Sequence, residues 1–289
     1  MFEVEAKAIL SAKNSMNIYR GCTHGCIYCD SRSTCYGMEH DFENVAVKRN
    51  APALLEDTLR RKRERCMIGT GAMSDPYQPL EQTLQLTRRC LKLIAHYRFG
   101  VTVLTKSDLV LRDLDILKRI NAQTKCVVQM TLTTFDEDLC RIVEPNVCTT
   151  KRRLEVLRTL CDAGIPTVVW LCPILPFIND TPENLDGILS SCFDAGVKGI
   201  LCFQMGMTLR TGDREYYYAK LDEHFPLMKQ RYIRSFGNAY ILNSPWHAAL
   251  MKQYRAACRS HHVLHGTTSI FSYLNTFQDQ QAGEQLSLF

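Results

Sequence analysis

The chain has 289 residues, 46% hydrophobic and 22% charged, so it has enough apolar surface to bury a core unaided, as one large domain or a domain with an extension. A formal net charge of +5 suits a polyanionic partner without requiring one, and 14 irregularly spaced cysteines argue for reduced thiols rather than a disulfide framework. The start, MFEVEAKAIL, is acidic where a secretion signal is basic, and the longest apolar run, Thr167 to Ile178, contains two prolines and is too short to cross a bilayer, so a cytoplasmic protein with no membrane partner is expected.

In chain order, a strand around MNIYR (16 to 20) leads into a loop, GCTHGCIYC (21 to 29). The basic run LRRKRER (59 to 65) closes a helical stretch, where it complements the helix dipole and reads as a solvated face; phosphate contact is the alternative. Strand-like runs follow at CMIGTGAM (66 to 73), VTVLTK (101 to 106), KCVVQMTLTT (125 to 134), TVVWLCPIL (167 to 175) and GILCFQMGM (199 to 207). Between them lie helical stretches near 80 to 97, 108 to 121, 151 to 163 and 181 to 195, the last opened by Thr181 as N-cap with Pro182 behind it. This alternation predicts six parallel strands in an α/β fold, a partial (β/α)6 TIM-like barrel over residues 1 to 210, with chemistry at the C-terminal strand ends. Residues 211 to 275 read as a helical C-terminal extension and 276 to 289 as a mobile tail.

The loop after the first strand holds Cys22, Cys26 and Cys29. Structural zinc wants four closed ligands, and the chain has no second cysteine pair, although His24 is available as a fourth. A thioredoxin-like pair would leave Cys22 unexplained, and three packed core cysteines do not suit a loop rich in Gly, Thr and His. An iron-sulfur cluster on three thiolates accounts for all of them and keeps one iron open for another ligand.

CxxxCxxC with an aromatic, Tyr28, directly before the third cysteine resembles the radical SAM superfamily, and the likeness extends over residues 15 to about 210. It implies a 4Fe-4S cluster on Cys22, Cys26 and Cys29, with S-adenosylmethionine chelating the fourth iron and Tyr28 beside it. One electron, from a donor such as flavodoxin or ferredoxin, would then release a 5'-deoxyadenosyl radical. Within the superfamily, GCTHGCIYC, GAMSDPYQPLE, TKSDL, VEPN and AGIPTVVWLCPILPF are similar to the spore photoproduct lyase family. The resemblance puts Ser74 and Asp75 at the methionine part of the cofactor and Lys106 at its carboxylate, which suits the chemistry of each group. Thr131 and Thr133 alternate onto one face of their strand, where either can reach the ribose.

The chain also departs from that family. Where the lyase has its hydrogen-donating cysteine and a tyrosine, this chain has Ala72 and Asp30, so repair of spore photoproduct by that relay is not expected. Cys35 and Cys66 are the candidate substitutes for the catalytic donor, beside Lys106 in the site. In TLRTGDREYYY (208 to 218), Arg210, Arg214 and three tyrosines suit a nucleobase and phosphate, or simply pack a helix. The final QLSLF resembles the peptide by which bacterial polymerases and repair proteins dock on the sliding clamp, through Gln285, Leu286, Leu288 and Phe289. A lyase-like radical enzyme acting on DNA or nucleotides is therefore expected. The alternative is a non-catalytic iron-sulfur or zinc-stabilised nucleic-acid-binding module, in which Ser74, Asp75 and Lys106 would have no zwitterionic cofactor to hold.

Overall fold

At the centre of the molecule, all seven residues of Cys126–Leu132 are buried, as a barrel strand requires when helices cover its outer face and the barrel interior its inner one. The structure, a computed structural model, describes residues 1–71 and 73–280. The N-terminal segment contributes β1 (Phe2–Val4), β2 (Ser15–Met16), β3 (Tyr19–Arg20) and β4 (Ala46–Lys48). There follow α1 (Ala51–Arg61), β5 (Met67–Thr70), α2 (Glu81–Leu84), α3 (Leu86–His96), β6 (Gly100–Thr105), α4 (Leu114–Gln123) and β7, the central strand Cys126–Leu132. Next come α5 (Glu137–Val143), α6 (Thr150–Asp162), β8 (Thr167–Leu171), α7 (Pro182–Asp194), β9 (Gly199–Leu201) and β10 (Gly206–Thr208). Last are α8 (Asp213–His224), α9 (Met228–Phe236), β11 (Ile241–Asn243), α10 (His247–Ser260), β12 (Leu264–His265) and α11 (Thr267–Asn275).

Among the described residues the main sheet has seven strands in the order β12-β9-β8-β7-β6-β5-β2, and every pairing in it is parallel. The two outer strands do not pair, so the barrel is open, the partial barrel expected from six βα units. Helices close over it by their apolar stripes: on α3, Leu86, Cys90, Leu91 and Ile94 are buried while Arg89 and Lys92 face solvent. Each fully buried Leu or Ile contributes about 1.5–3 kcal/mol. The Thr181 hydroxyl accepts from Asn184 N at 3.2 Å, and Pro182 opens α7 as its sequence requires.

Two expected strands divide. MNIYR supplies β2 to the main sheet but β3 to a small second sheet with β4 and β1. The run from 199 supplies β9, then leaves the sheet at Cys202, turns Phe203 outward and re-forms as β10, which pairs antiparallel with β11. The segment after residue 210 is largely helical, yet it also adds β12 to the sheet beside β9. A helix-prone composition hides such short strands, because they are specified by the edge they cover. The basic run is partly paired, Arg60 and Arg61 with Asp57 and Arg65 with Asp279, as a solvated face should be.

Candidate active site

The cysteine loop is fixed from two sides. Gly21 has φ +94°, and a side chain there would strike the Phe42 carbonyl oxygen, the acceptor for Cys22 N at 3.0 Å. From the other side, Asn146 N donates to His24 O at 3.1 Å, Ile27 N to Val143 O at 3.0 Å, and Asn146 Nδ2 to Thr23 O at 3.0 Å. The segment after α5 is therefore a strap across the back of the loop.

Held in this way, Cys22, Cys26 and Cys29 line one cavity of about 570 Å3 at the C-terminal ends of the strands, and all three thiols are free. Among the described residues no three His, Cys, Asp or Glu side chains converge as tightly as a single metal ion would need. Three thiols around one cavity fit a multi-iron cluster, which takes one thiolate per iron. Burial, with Asp75 adding to it, pushes the Cys22 thiol up to about 12. Burial likewise pushes Cys26 well up, with Lys106 opposing. Burial thus disfavours a free thiolate at Cys22 and at Cys26.

The other expected residues fall around the same cavity. Gly71, at φ +97°, turns the chain after β5 where a side chain would meet the Leu104 carbonyl. Beyond it, Ser74 Oγ donates to Tyr19 O at 2.7 Å. Asp75 Oδ1 accepts from Thr105 Oγ1 at 2.7 Å and Tyr77 N at 2.8 Å, and Oδ2 from Lys106 N at 2.7 Å. Its carboxylate thus locks the end of β5 to the end of β6, with His24 Nδ1 3.5 Å away. Lys106 Nζ has no hydrogen-bond acceptor among the described residues and lies 5.8 Å from the Tyr28 ring centre, facing the cavity. Burial pulls the Lys106 ammonium down, but Cys26 and Glu144 outweigh it and keep the group charged.

Thr131 lines the cavity, whereas Thr133 does not. β7 ends at Leu132, so the expected alternation stops, and Thr133 Oγ1 instead lies 3.1 Å from the Tyr28 hydroxyl. That hydroxyl also donates to Glu144, which forms an ion pair with Arg153, both side chains fully buried. Burial would raise the Glu144 carboxyl, yet Arg153 and Lys106 hold it below its usual range. Glu144 enters the sequence pattern only within VEPN, without a role, and Arg153 does not enter it. The available signal was Arg153 itself, an arginine in register with Leu157 and Leu160 on the buried face of α6.

Across the cavity stand Trp170, Phe203, Tyr240 and Ile241, the Trp170 and Phe203 rings 5.6 Å apart. Arg210 donates to the Tyr240 hydroxyl at 2.5 Å and approaches Asp30 at 3.7 Å. Asp30 in turn accepts from the Tyr36 hydroxyl at 2.5 Å. Arg214 takes the packing role: it caps the carbonyls of Leu209 at 2.8 Å and Ala239 at 2.7 Å. The tyrosine triplet also packs, Tyr217 inside the core and Tyr216 beneath Arg32 at 3.7 Å.

The two proposed hydrogen donors do not reach the cavity. Cys66 precedes β5 at its amino end, roughly 13 Å of strand from the chemistry. Cys35 is exposed on a turn, where its sulfur accepts from Arg210 at 3.1 Å. The thiol that lines the cavity besides the three loop cysteines, among the described residues, is Cys172, just past β8. Burial pushes it up to about 12, so it stays protonated at neutral pH. Its place at a C-terminal strand end was legible in TVVWLCPIL.

Residues 16–189 match the model of the Radical SAM superfamily, and the chain belongs to that superfamily. It is an enzyme of the radical SAM type, a class that works with a 4Fe-4S cluster and S-adenosylmethionine. Among curated proteins it is 32% identical to the uncharacterized protein Rv2578c of Mycobacterium tuberculosis, over 80% of this chain and 69% of that one. It is also 35% identical to the uncharacterized protein MJ0683 of Methanocaldococcus jannaschii, over 60% of this chain and 64% of that one. Its fold is that of spore photoproduct lyase, solved as a double mutant with bound AdoMet and dinucleoside spore photoproduct. There the TM-score is 0.66 at 13% identity, over 90% of this chain and 78% of that one. No helix among the described residues is long and apolar enough to cross a membrane.

Proposed function

We propose that Cys22, Cys26 and Cys29 hold the cluster, that Lys106 receives the carboxylate of S-adenosylmethionine, and that the substrate is DNA or a nucleotide. Bound together, cluster and cofactor supply a 5'-deoxyadenosyl radical able to abstract a hydrogen atom. The chain's own residues orient and shield. Lys106 offers an ammonium with no acceptor among the described residues; Asp75 keeps about one lone pair, on Oδ2, for the cofactor amine while fixing the strand ends; Thr131 is at the wall for the ribose. The observation that carries the substrate reading is the aromatic wall of Trp170, Phe203 and Tyr240 with the Arg210 guanidinium 4.6 Å from the Tyr240 ring. Such a wall stacks a base at about 1–3 kcal/mol each, and the cation beside it suits a phosphate.

Cys172 is our candidate for returning a hydrogen atom to the substrate, in place of Cys35 and Cys66. Asp30 stands where the lyase has its tyrosine and Ala72 lies outside the described residues, so inefficient repair of spore photoproduct remains the expectation. The test is anaerobic product analysis with dinucleotides and oligonucleotides carrying candidate lesions. Stimulated 5'-deoxyadenosine release by a nucleic-acid substrate supports the reading; no stimulation by any of them, with cofactor cleavage intact, overturns it. A cytoplasmic setting, a flavodoxin or ferredoxin donor and a role in DNA repair belong to the same proposal. So does the clamp peptide at Gln285, Leu286, Leu288 and Phe289, which lies outside the described residues. Clamp binding that survives deletion of 285 to 289 would remove it.

A further inference from the structure

We propose that Tyr28, Glu144, Arg153 and Cys148 form a positioning circuit that sets the cluster loop against the cofactor lysine; this rests on the reading that the loop cysteines hold the cluster and Lys106 the cofactor. The circuit can be followed bond by bond. Tyr28 lies between Cys26 and Cys29, and its buried hydroxyl donates to Glu144. Glu144 pairs with Arg153. Arg153 Nε donates to Cys148 O at 2.9 Å and Nη1 to Thr131 O at 2.8 Å, on the cavity wall. Cys148 Sγ then donates to Lys106 O at 3.2 Å, while the Lys106 ammonium faces the Tyr28 ring. One end of the circuit is the metal-binding loop and the other is the backbone of the lysine that meets the cofactor.

A buried ion pair gains little stability over apolar residues of the same volume, because desolvation offsets the attraction, yet breaking it by removing one partner is costly. What this pair supplies is direction. Arg153 is a planar fork whose donors reach the end of β7, the strap and Glu144 at once, and Glu144 gives the Tyr28 hydroxyl a single charged acceptor. The loop is thereby referred to β7 and β6 through side chains, over and above the backbone bonds at His24 and Ile27 and the Asn146 amide bond to Thr23 O. None of these four residues needs to touch a reacting atom, so they are positioning residues.

The test is Tyr28→Phe, which keeps the ring and deletes the bond, read by iron content, melting temperature, S-adenosylmethionine affinity and the EPR spectrum of the reduced cluster with and without the cofactor. Expected are about four irons per chain, a folded protein whose melting temperature falls by several degrees because a buried carboxylate loses a donor, and cofactor affinity lower by about two- to tenfold. The cofactor-induced change in the EPR spectrum should alter with it. Cys148→Ala breaks the circuit at its other end and should weaken the cofactor in the same direction, which keeps the idea testable if the first variant does not fold. Native affinity and spectra in whichever variant folds would overturn the circuit. Retention of iron by Cys26→Ala would instead fail the underlying ligand reading.

Discussion

The two walls of the cavity are built in opposite ways. The wall carrying the cysteine loop is tied by backbone hydrogen bonds at Cys22, His24 and Ile27 and by the Asn146 side-chain amide at Thr23 O, and is backed by a fully buried ion pair. The wall of Phe203, Tyr240 and Ile241 comes from the connection after β9 and from the start of β11 in a two-stranded ribbon outside the main sheet, and these residues are 44–50% exposed. Tolerances differ accordingly. A radical must be made at one geometry, so the first wall is over-determined, while a substrate can be admitted through side chains that still have room to adapt.

The largest effect that could break the comparison is on the rigid wall. Cys26→Ala should lose the iron of an anaerobically reconstituted protein and with it all release of 5'-deoxyadenosine; full iron loading in the triple alanine variant of Cys22, Cys26 and Cys29 would defeat the assignment. Next, Lys106→Ala should keep the cluster and weaken S-adenosylmethionine by about ten- to 100-fold, the size of a hydrogen bond to a charged group, as read by equilibrium binding. Lys106→Arg should restore only part of that, since a planar fork does not sit where a compact ammonium did. On the looser wall, Phe203→Ala should raise the KM of a nucleic-acid substrate about fivefold or more while the cofactor affinity stays constant; equal losses in both would mean that the walls are not independent. The smallest effect is expected for Cys66→Ala, at the far end of β5: unchanged product formation and a stability change of about 1 kcal/mol. A failed turnover there would revive Cys66 as a hydrogen donor.

Most of the rigid wall was legible in order of residues. Cys22, Cys26 and Cys29 are close in sequence, so a loop of any shape keeps them together. Ser74, Asp75 and Lys106 are singled out by the family resemblance, which agrees with the rule that strand ends of a βα barrel share one face, and all of them line the cavity. Thr133 was misplaced because alternation holds only while the strand continues, and β7 ends one residue earlier. The Glu144–Arg153 pair escaped because its partners come from a loop and a helix, and a buried charge looks in sequence like any other charge until its burial is known.

By itself the sequence determined the parallel βα order, the three-cysteine loop and the class of cofactor, since each depends on local spacing, on periodic burial of apolar residues and on side-chain chemistry. Only the tertiary structure decided which groups meet. It set Cys172 rather than Cys66 or Cys35 on the cavity wall, gave Arg210 to the rim and Arg214 to packing, added β12 to the sheet from the far end of the chain, and joined Tyr28 to Lys106 through Glu144, Arg153 and Cys148. The reason is physical: contacts between distant residues are chosen by the free energy of burying and satisfying them together, a quantity that belongs to the packed chain and not to any one stretch of it.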